Sequence, residues 1–190
     1  QDGSKQQSPA DALHAKFSAE LSNLNSAYRT ASKELRESDA YKKAVADKDR
    51  GRMTELRSSL KRPDFKGLAQ KAMAAAGQFE GNGAVKLLGW AAINGRDADI
   101  CKTVVAQLQE KHMKSAALLE LLENGRVLSR PLGPEGADAF LSQVIAESPY
   151  DVAKAWAFYW KSVAFTGRGA SDDQKVKGAE LAAQAEKLAG

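Results

Sequence analysis

A chain of 190 residues buries a substantial core as one domain, or as one domain with an appendage. Alanine and leucine together number 53 against 16 valine, isoleucine and threonine residues, a balance that favours helix, because β-branched side chains lose rotamer freedom there. No run approaches the roughly 20 apolar residues that a bilayer-spanning helix needs, and the single Cys101 excludes an internal disulfide and a Cys-based metal cluster.

The net charge of +4 is unevenly placed. Tyr41 to Lys71 holds ten Lys/Arg and four Asp/Glu, so the remaining residues sum to about −2. Such asymmetry fits either an anionic partner or the solvated face of a long helix. Gln1 to Ser8 is polar and rich in Gly, Ser and Gln, like the tail behind a cleaved secretory signal. Export is the expected localisation, and 1–8 is expected to be a disordered tail.

Ser8 followed by Pro9 is a helix start: a hydroxyl cap, then Pro at the first helical position. Phe17, Leu21, Leu24, Tyr28, Ala31 and Leu35 then recur at alternating spacings of four and three, a seam of coiled-coil type. Ser38-Asp39 offers a second cap, and Tyr41, Val45, Met53, Leu56 and Leu60 form a weaker stripe that Gly51 interrupts. Residues 9–62 therefore predict a hairpin arm of two long antiparallel helices, closed by Pro63-Asp64.

Shorter apolar segments follow across 63–190. Phe65 to Ala76 is a helical stripe ended by Gly77. Ala84 to Ile93 is another, with Gly89 small enough to admit a neighbouring helix and Asn94-Gly95 read as a left-handed C-terminal cap. Asp97 or Asp99 opens a helix carrying Ile100, Val104, Val105 and Leu108, and Ser115 caps one carrying Leu118 to Leu122. A Pro131 to Pro134 break precedes Ala137 to Ile145, and Ser171-Asp172 caps the last helix. Between them, Asp151 to Phe165 holds two of the three tryptophans and two of the six phenylalanines. Val152, Trp156, Tyr159, Trp160 and Val163 share one face of it, with Lys154, Lys161 and Ser162 as a polar stripe; this predicts a central packing helix.

Like helices recur at intervals of about 32 to 36 residues, the range of two-helix solenoid repeats. The expected fold is thus all-α: a long N-terminal helical hairpin, then stacked helical hairpins in a right-handed array like tetratricopeptide or HEAT proteins, without their consensus.

The chemistry of a catalyst is mostly missing. His14 has no Cys or His partner at ligand spacing, and His112 sits beside Lys111 and Lys114 at a helix end, where a cationic imidazole suits the dipole. There is no zinc-binding His-Glu-x-x-His, no phosphate loop and no nucleophile elbow. Glu80-Gly81-Asn82-Gly83 and Gly167-Arg168-Gly169 follow no strand and read as turns, while Cys101 reads as a packed thiol. No catalytic, cofactor or metal residue is assigned. A basic stretch including Lys42, Lys43, Arg50, Arg52, Arg57 and Arg62 could meet phosphates, yet Asp47, Asp49 and Glu55 interleave and no stacking aromatic accompanies it. Nucleic acid is therefore disfavoured.

Phe65-Lys-Gly-Leu-Ala-Gln-Lys-Ala-Met73, Ala84-Val-Lys-Leu-Leu-Gly-Trp-Ala-Ala-Ile-Asn94 and Ala106-Gln-Leu-Gln-Glu-Lys-His112, with Ser115, carry a resemblance. Residues 63–165 resemble the all-helical region ahead of the thioredoxin-like domain in exported bacterial redoxin-type proteins. The resemblance implies a scaffolding or partner-binding module. No Cys-x-x-Cys is present, so it carries no redox residue over. The leading expectation is a non-catalytic helical-repeat module that binds a protein or peptide, or positions an attached domain. Its candidate partner-binding residues are Arg50, Arg52, Arg57, Arg62, Trp90, Trp156, Tyr159 and Trp160. Two alternatives stand beside it: a small-molecule pocket or enzyme around 151–165 and Trp90, and an anionic partner on the basic arm 41–71.

Overall fold

The computed structural model describes residues 8–167 and 169–190. Most of the tail 1–8, and Arg168 of the Gly167-Arg168-Gly169 turn, lie outside the described residues. Within them the chain is all-α: ten helices and no strand. Two compact units form, one of Ala15–Phe65 and one of Lys66–Gly190 together with the chain up to His14. The start of the first helix thus belongs with the larger unit, and the boundary falls three residues beyond Arg62.

The first helix, α1 (Pro9–Glu37), begins in the larger unit, where Ser8 accepts a hydrogen bond from the Asp11 backbone N–H at 3.2 Å, and from Ala15 onward it belongs to the smaller unit. Phe17 is buried and Leu21, Leu24, Tyr28, Ala31 and Leu35 are half-buried, as the seam requires. The expected second long helix is instead two short ones, α2 (Asp39–Ala46) and α3 (Arg50–Ser58). The break lies at Lys48, whose φ of 55° is left-handed, followed by Asp49, whose carboxylate accepts from the Arg52 N–H at 2.9 Å. Asp47 and Asp49 favour caps and turns over helix interiors. Gly51 then falls in the first turn of α3, after the interruption rather than causing it.

The larger unit is built from α4 (Phe65–Ala76), α5 (Gly81–Asn94), α6 (Ala98–Lys111), α7 (Leu118–Glu123), α8 (Arg126–Glu147), α9 (Asp151–Phe165) and α10 (Asp172–Ala189). Its core surrounds α5, in which every residue from Ala84 to Ala92 except Lys86 is buried. Leu108 of α6, Leu118 and Leu121 of α7, and Phe140 and Val144 of α8 are fully enclosed. The first turn of α1 belongs here too. Ala10 is buried, Asp11 pairs with Lys86, and His14 Nε2 stands 3.3 Å from Glu120 Oε1. A methyl group on Gly83 would come within 3.0 Å of Ala10, so the Glu80–Gly83 stretch serves as the opening of α5 and not as a free turn.

Several local details correct the sequence reading. Gly95 is not the left-handed cap: its φ is −68°, and the positive φ (51°) belongs to Arg96. Gly95 is required by space, because a Cβ there would lie 2.8 Å from both Ala69 Cβ and the Ala91 carbonyl. Gly89 does face α7, but a Cβ would meet Leu121 at an ordinary 3.7 Å. Ser115 is not the cap of α7; its hydroxyl donates to Asn82 Oδ1 at 2.7 Å and accepts from the Ala117 N–H. The break at Pro131–Pro134 is an elbow inside α8, centred on Gly133 at φ 69°, ψ 174°. Asp97 caps α6 through the N–H groups of Asp99 and Ile100, and Ser171 forms a capping box with Gln174 on α10.

The largest correction concerns α9. Its bounds are as expected, but the face it buries is the small-residue one, and of the expected core face only Trp156 and Trp160 are half-buried. The buried residues are Ala153, Ala155, Ala157 and Ser162, whereas Val152, Tyr159 and Val163 are 50%, 44% and 40% exposed. The helix packs on α7, α8 and α10 through small residues. On α10, Gly178 lies so close that a Cβ would come within 3.2 Å of Phe165 Cβ. The polar stripe turns toward the protein: Lys161, only 15% exposed, pairs with Asp138 at 2.8 Å and donates to Ser142 at 2.6 Å. Close helix approach places Ala, Gly and Ser at the contact, and it leaves Tyr159 exposed and the rings of Trp156 and Trp160 half-buried at its margin.

Candidate functional site

The rings on the outer face of α9 form one cluster. Trp156 and Trp160 stack with centroids 6.5 Å apart, and Tyr159 meets them edge-on at 5.7 and 5.1 Å. Val152 and Val163 extend the cluster by one turn at each end. The base of the cluster is fixed, since Trp160 Nε1–H donates to the Leu122 carbonyl at 2.7 Å and its ring lies against the Gly125 backbone. Aromatic groups held by a helix and anchored by a partly buried hydrogen bond offer contact area at little further entropic cost, the property that concentrates binding energy in tryptophan and tyrosine at interfaces.

Beside the cluster runs a groove of about 640 Å³, lined by Tyr159, Trp160, Pro134, Leu141, Arg126 and the Asp138–Lys161 pair among others. Arg126 also lines a second groove of about 670 Å³, with Arg96, Arg130, Ile93, Pro131 and the edge of Cys101. Arg126 and Arg130 are exposed and have no carboxylate partner among the described residues. The outer face of α9 is thus flanked by unneutralised positive charge, which the sequence reading missed. Arg126 was hidden because it precedes the elbow of α8 in an otherwise unremarkable polar stretch.

The other expected partner-binding residues divide. Trp90 is 3% exposed within α5 and presents no surface, so it leaves the set. It is a core residue, separate from the α9 cluster, and the two do not form one aromatic pocket. In the smaller unit, Arg50 is exposed, and Arg52 pairs with Glu55 at 2.7 Å. Arg57 is held by Tyr41: its Nε donates to the phenolic oxygen at 2.9 Å, its Nη2 donates to the same atom, and its guanidinium lies over the ring at 5.5 Å. Arg57 and Arg62 line a groove of about 420 Å³ with Arg36, which the sequence reading had not singled out.

Groups with catalytic potential sit in structural settings. Burial, and then the neighbouring Lys111, push the His112 imidazole below its usual value, which opposes the cationic form expected at that helix end. Desolvation raises the Cys101 thiol to about 11. Among the described residues no three His, Cys, Asp or Glu side chains gather as a metal site, and no helix is long and apolar enough to cross a membrane. Comparison with protein-family models, curated proteins and solved structures finds no match.

Proposed function

We propose that this chain is a non-catalytic module of stacked helical hairpins that binds a protein or peptide partner, or positions an attached domain, in an exported protein. The observation that supports this reading is the outward Trp156–Tyr159–Trp160 cluster on α9, flanked by Val152, Val163 and the unpaired Arg126. An exposed tyrosine and two valines set on half-buried tryptophans form an apolar surface patch of the kind that marks interaction sites. A partner of matching chemistry inserts an apolar side chain into the groove beside Trp160 and sets a carboxylate near Arg126.

The competing reading, an enzyme or small-molecule pocket around the aromatic helix, has less support. Its polar groups Lys161 and Asp138 satisfy one another, and Trp90 does not join it. Panning a random peptide library on the immobilised protein tests the proposal. Enriched peptides are expected to carry an aromatic or leucine anchor and to lose at least about tenfold in affinity on Trp156→Ala or Tyr159→Ala. Failure to enrich any peptide, or binding by both variants as tight as by the parent, refutes it.

A further inference from the structure

The groove of the smaller unit points to a ligand of a different kind. It is formed by Tyr28, Ser32, Leu35 and Arg36 of α1, Thr54, Arg57 and Ser58 of α3, and Leu60 and Arg62 beyond it. Three guanidinium groups line it and no carboxylate does. Of the acidic side chains near it in sequence, Glu37 lies 3.9 Å from Lys33 and Glu55 pairs with Arg52, and neither Glu34 nor Asp64 lines the groove. Arg36 and Arg57 are also restrained rather than free to swing. Arg36 Nε donates to the Ser32 carbonyl at 3.0 Å, and Arg57 is held on Tyr41 through Nε and Nη2. Each keeps further N–H donors for a ligand, and Arg62 keeps all of its own.

Like charges gathered without a counter-charge repel one another, and an anion in the groove removes that cost. Thr54 and Ser58 already donate their hydroxyl protons to the carbonyls of Arg50 and Glu55, so the anion's donors come chiefly from the arginines. The forks of several arginines match the several oxygens of a phosphoryl group better than the two oxygens of one carboxylate. Tyr28, Leu35 and Leu60 supply an apolar wall for whatever body carries that group.

We propose that this groove binds a phosphoryl group, carried either by a small soluble molecule or by a lipid headgroup, with Arg36, Arg57 and Arg62 as the anion ligands. The site lies wholly within the smaller unit, so its test is independent of the α9 surface. Sodium pyrophosphate is titrated into the protein at low salt by isothermal calorimetry. In a parallel arm, phosphatidylcholine vesicles doped with phosphatidic acid are tested for co-sedimentation. Saturable binding in either arm is expected, and the arm that responds identifies the source of the phosphate. Arg36→Gln and Arg62→Gln, both at exposed positions whose folding is checked by circular dichroism, each weaken binding about tenfold. Arg62→Lys weakens it nearly as much, because the charge is kept but the fork is lost. Lys42→Gln, an equal loss of charge outside the groove, changes binding by no more than about twofold. Absence of saturable binding in both arms overturns the proposal, as does an equal effect of Lys42→Gln and Arg62→Gln.

Discussion

Replacing Gly125 by alanine tests the anchor beneath the α9 cluster. The residue is buried at the entry to α8 with φ −55°, a conformation any residue adopts, so no backbone strain opposes the change. The obstacle is space. A Cβ would lie 2.5 Å from both Cδ1 and Nε1 of Trp160 and 2.9 Å from Cε2. The indole is rigid and must move as a whole, which breaks its 2.7 Å hydrogen bond to the Leu122 carbonyl. Loss of that bond costs about 1 kcal/mol net and overpacking about 1–3 kcal/mol more, so the variant should lose about 2–4 kcal/mol. For a chain of this length that lowers Tm by roughly 5–15 °C. The matched control is Gly89→Ala, where the new methyl meets Leu121 at 3.7 Å inside α5 and the helix gains up to about 1 kcal/mol. Thermal melts followed by circular dichroism, with tryptophan emission recorded in parallel, compare the two. Equal melting temperatures for Gly125→Ala and the parent, with unchanged emission, would refute the argument.

Two other outcomes follow from burial. Phe140→Ala, at a fully enclosed ring, should cost about 3–5 kcal/mol in urea denaturation, whereas Tyr159→Ala should cost only about 1 kcal/mol, the worth of its edge contacts with Trp156 and Trp160; similar losses would return α9 to the core. Cys101, 1% exposed with its thiol raised to about 11, should resist iodoacetamide at pH 8 in the folded protein and react fully in denaturant; rapid native labelling would contradict the packing of α6.

What was legible in the sequence was chemistry that acts within a few residues. Ser8, Asp97 and Ser171 announced helix starts because a cap is made by a side chain and the N–H groups two or three positions on. The bounds of α4 and α9 were readable because each apolar run ends at a local breaker, Gly77 after α4 and Gly167 after α9. The facing of α9 was not, because the aromatic stripe and the alanine stripe are both apolar. Which one turns inward depends on how closely α7, α8 and α10 approach. Lys161 misled in the same way: it read as solvated until Asp138 and Ser142, on another helix, supplied its partners. At Gly95 the requirement came from Ala69, far away in sequence, so glycine was correctly flagged there for the wrong reason. The arginine groove was half visible, since Arg57 and Arg62 stood in the basic stretch, while Arg36 belonged to a helix read only for its seam.

The corner at Gly133 settles a mismatch of lengths. As a straight rod, the 22 residues of α8 would reach about 33 Å, against about 21 Å for the 14 residues of α5 or α6. Such a rod would overshoot its neighbours by two turns, leaving Leu128 without a wall to lean on. Bending at a residue that only glycine accommodates, with Pro131 and Pro134 on either side, returns the surplus to the bundle. Leu128 is thereby enclosed while Arg126 and Arg130, on the same short segment, stay wet.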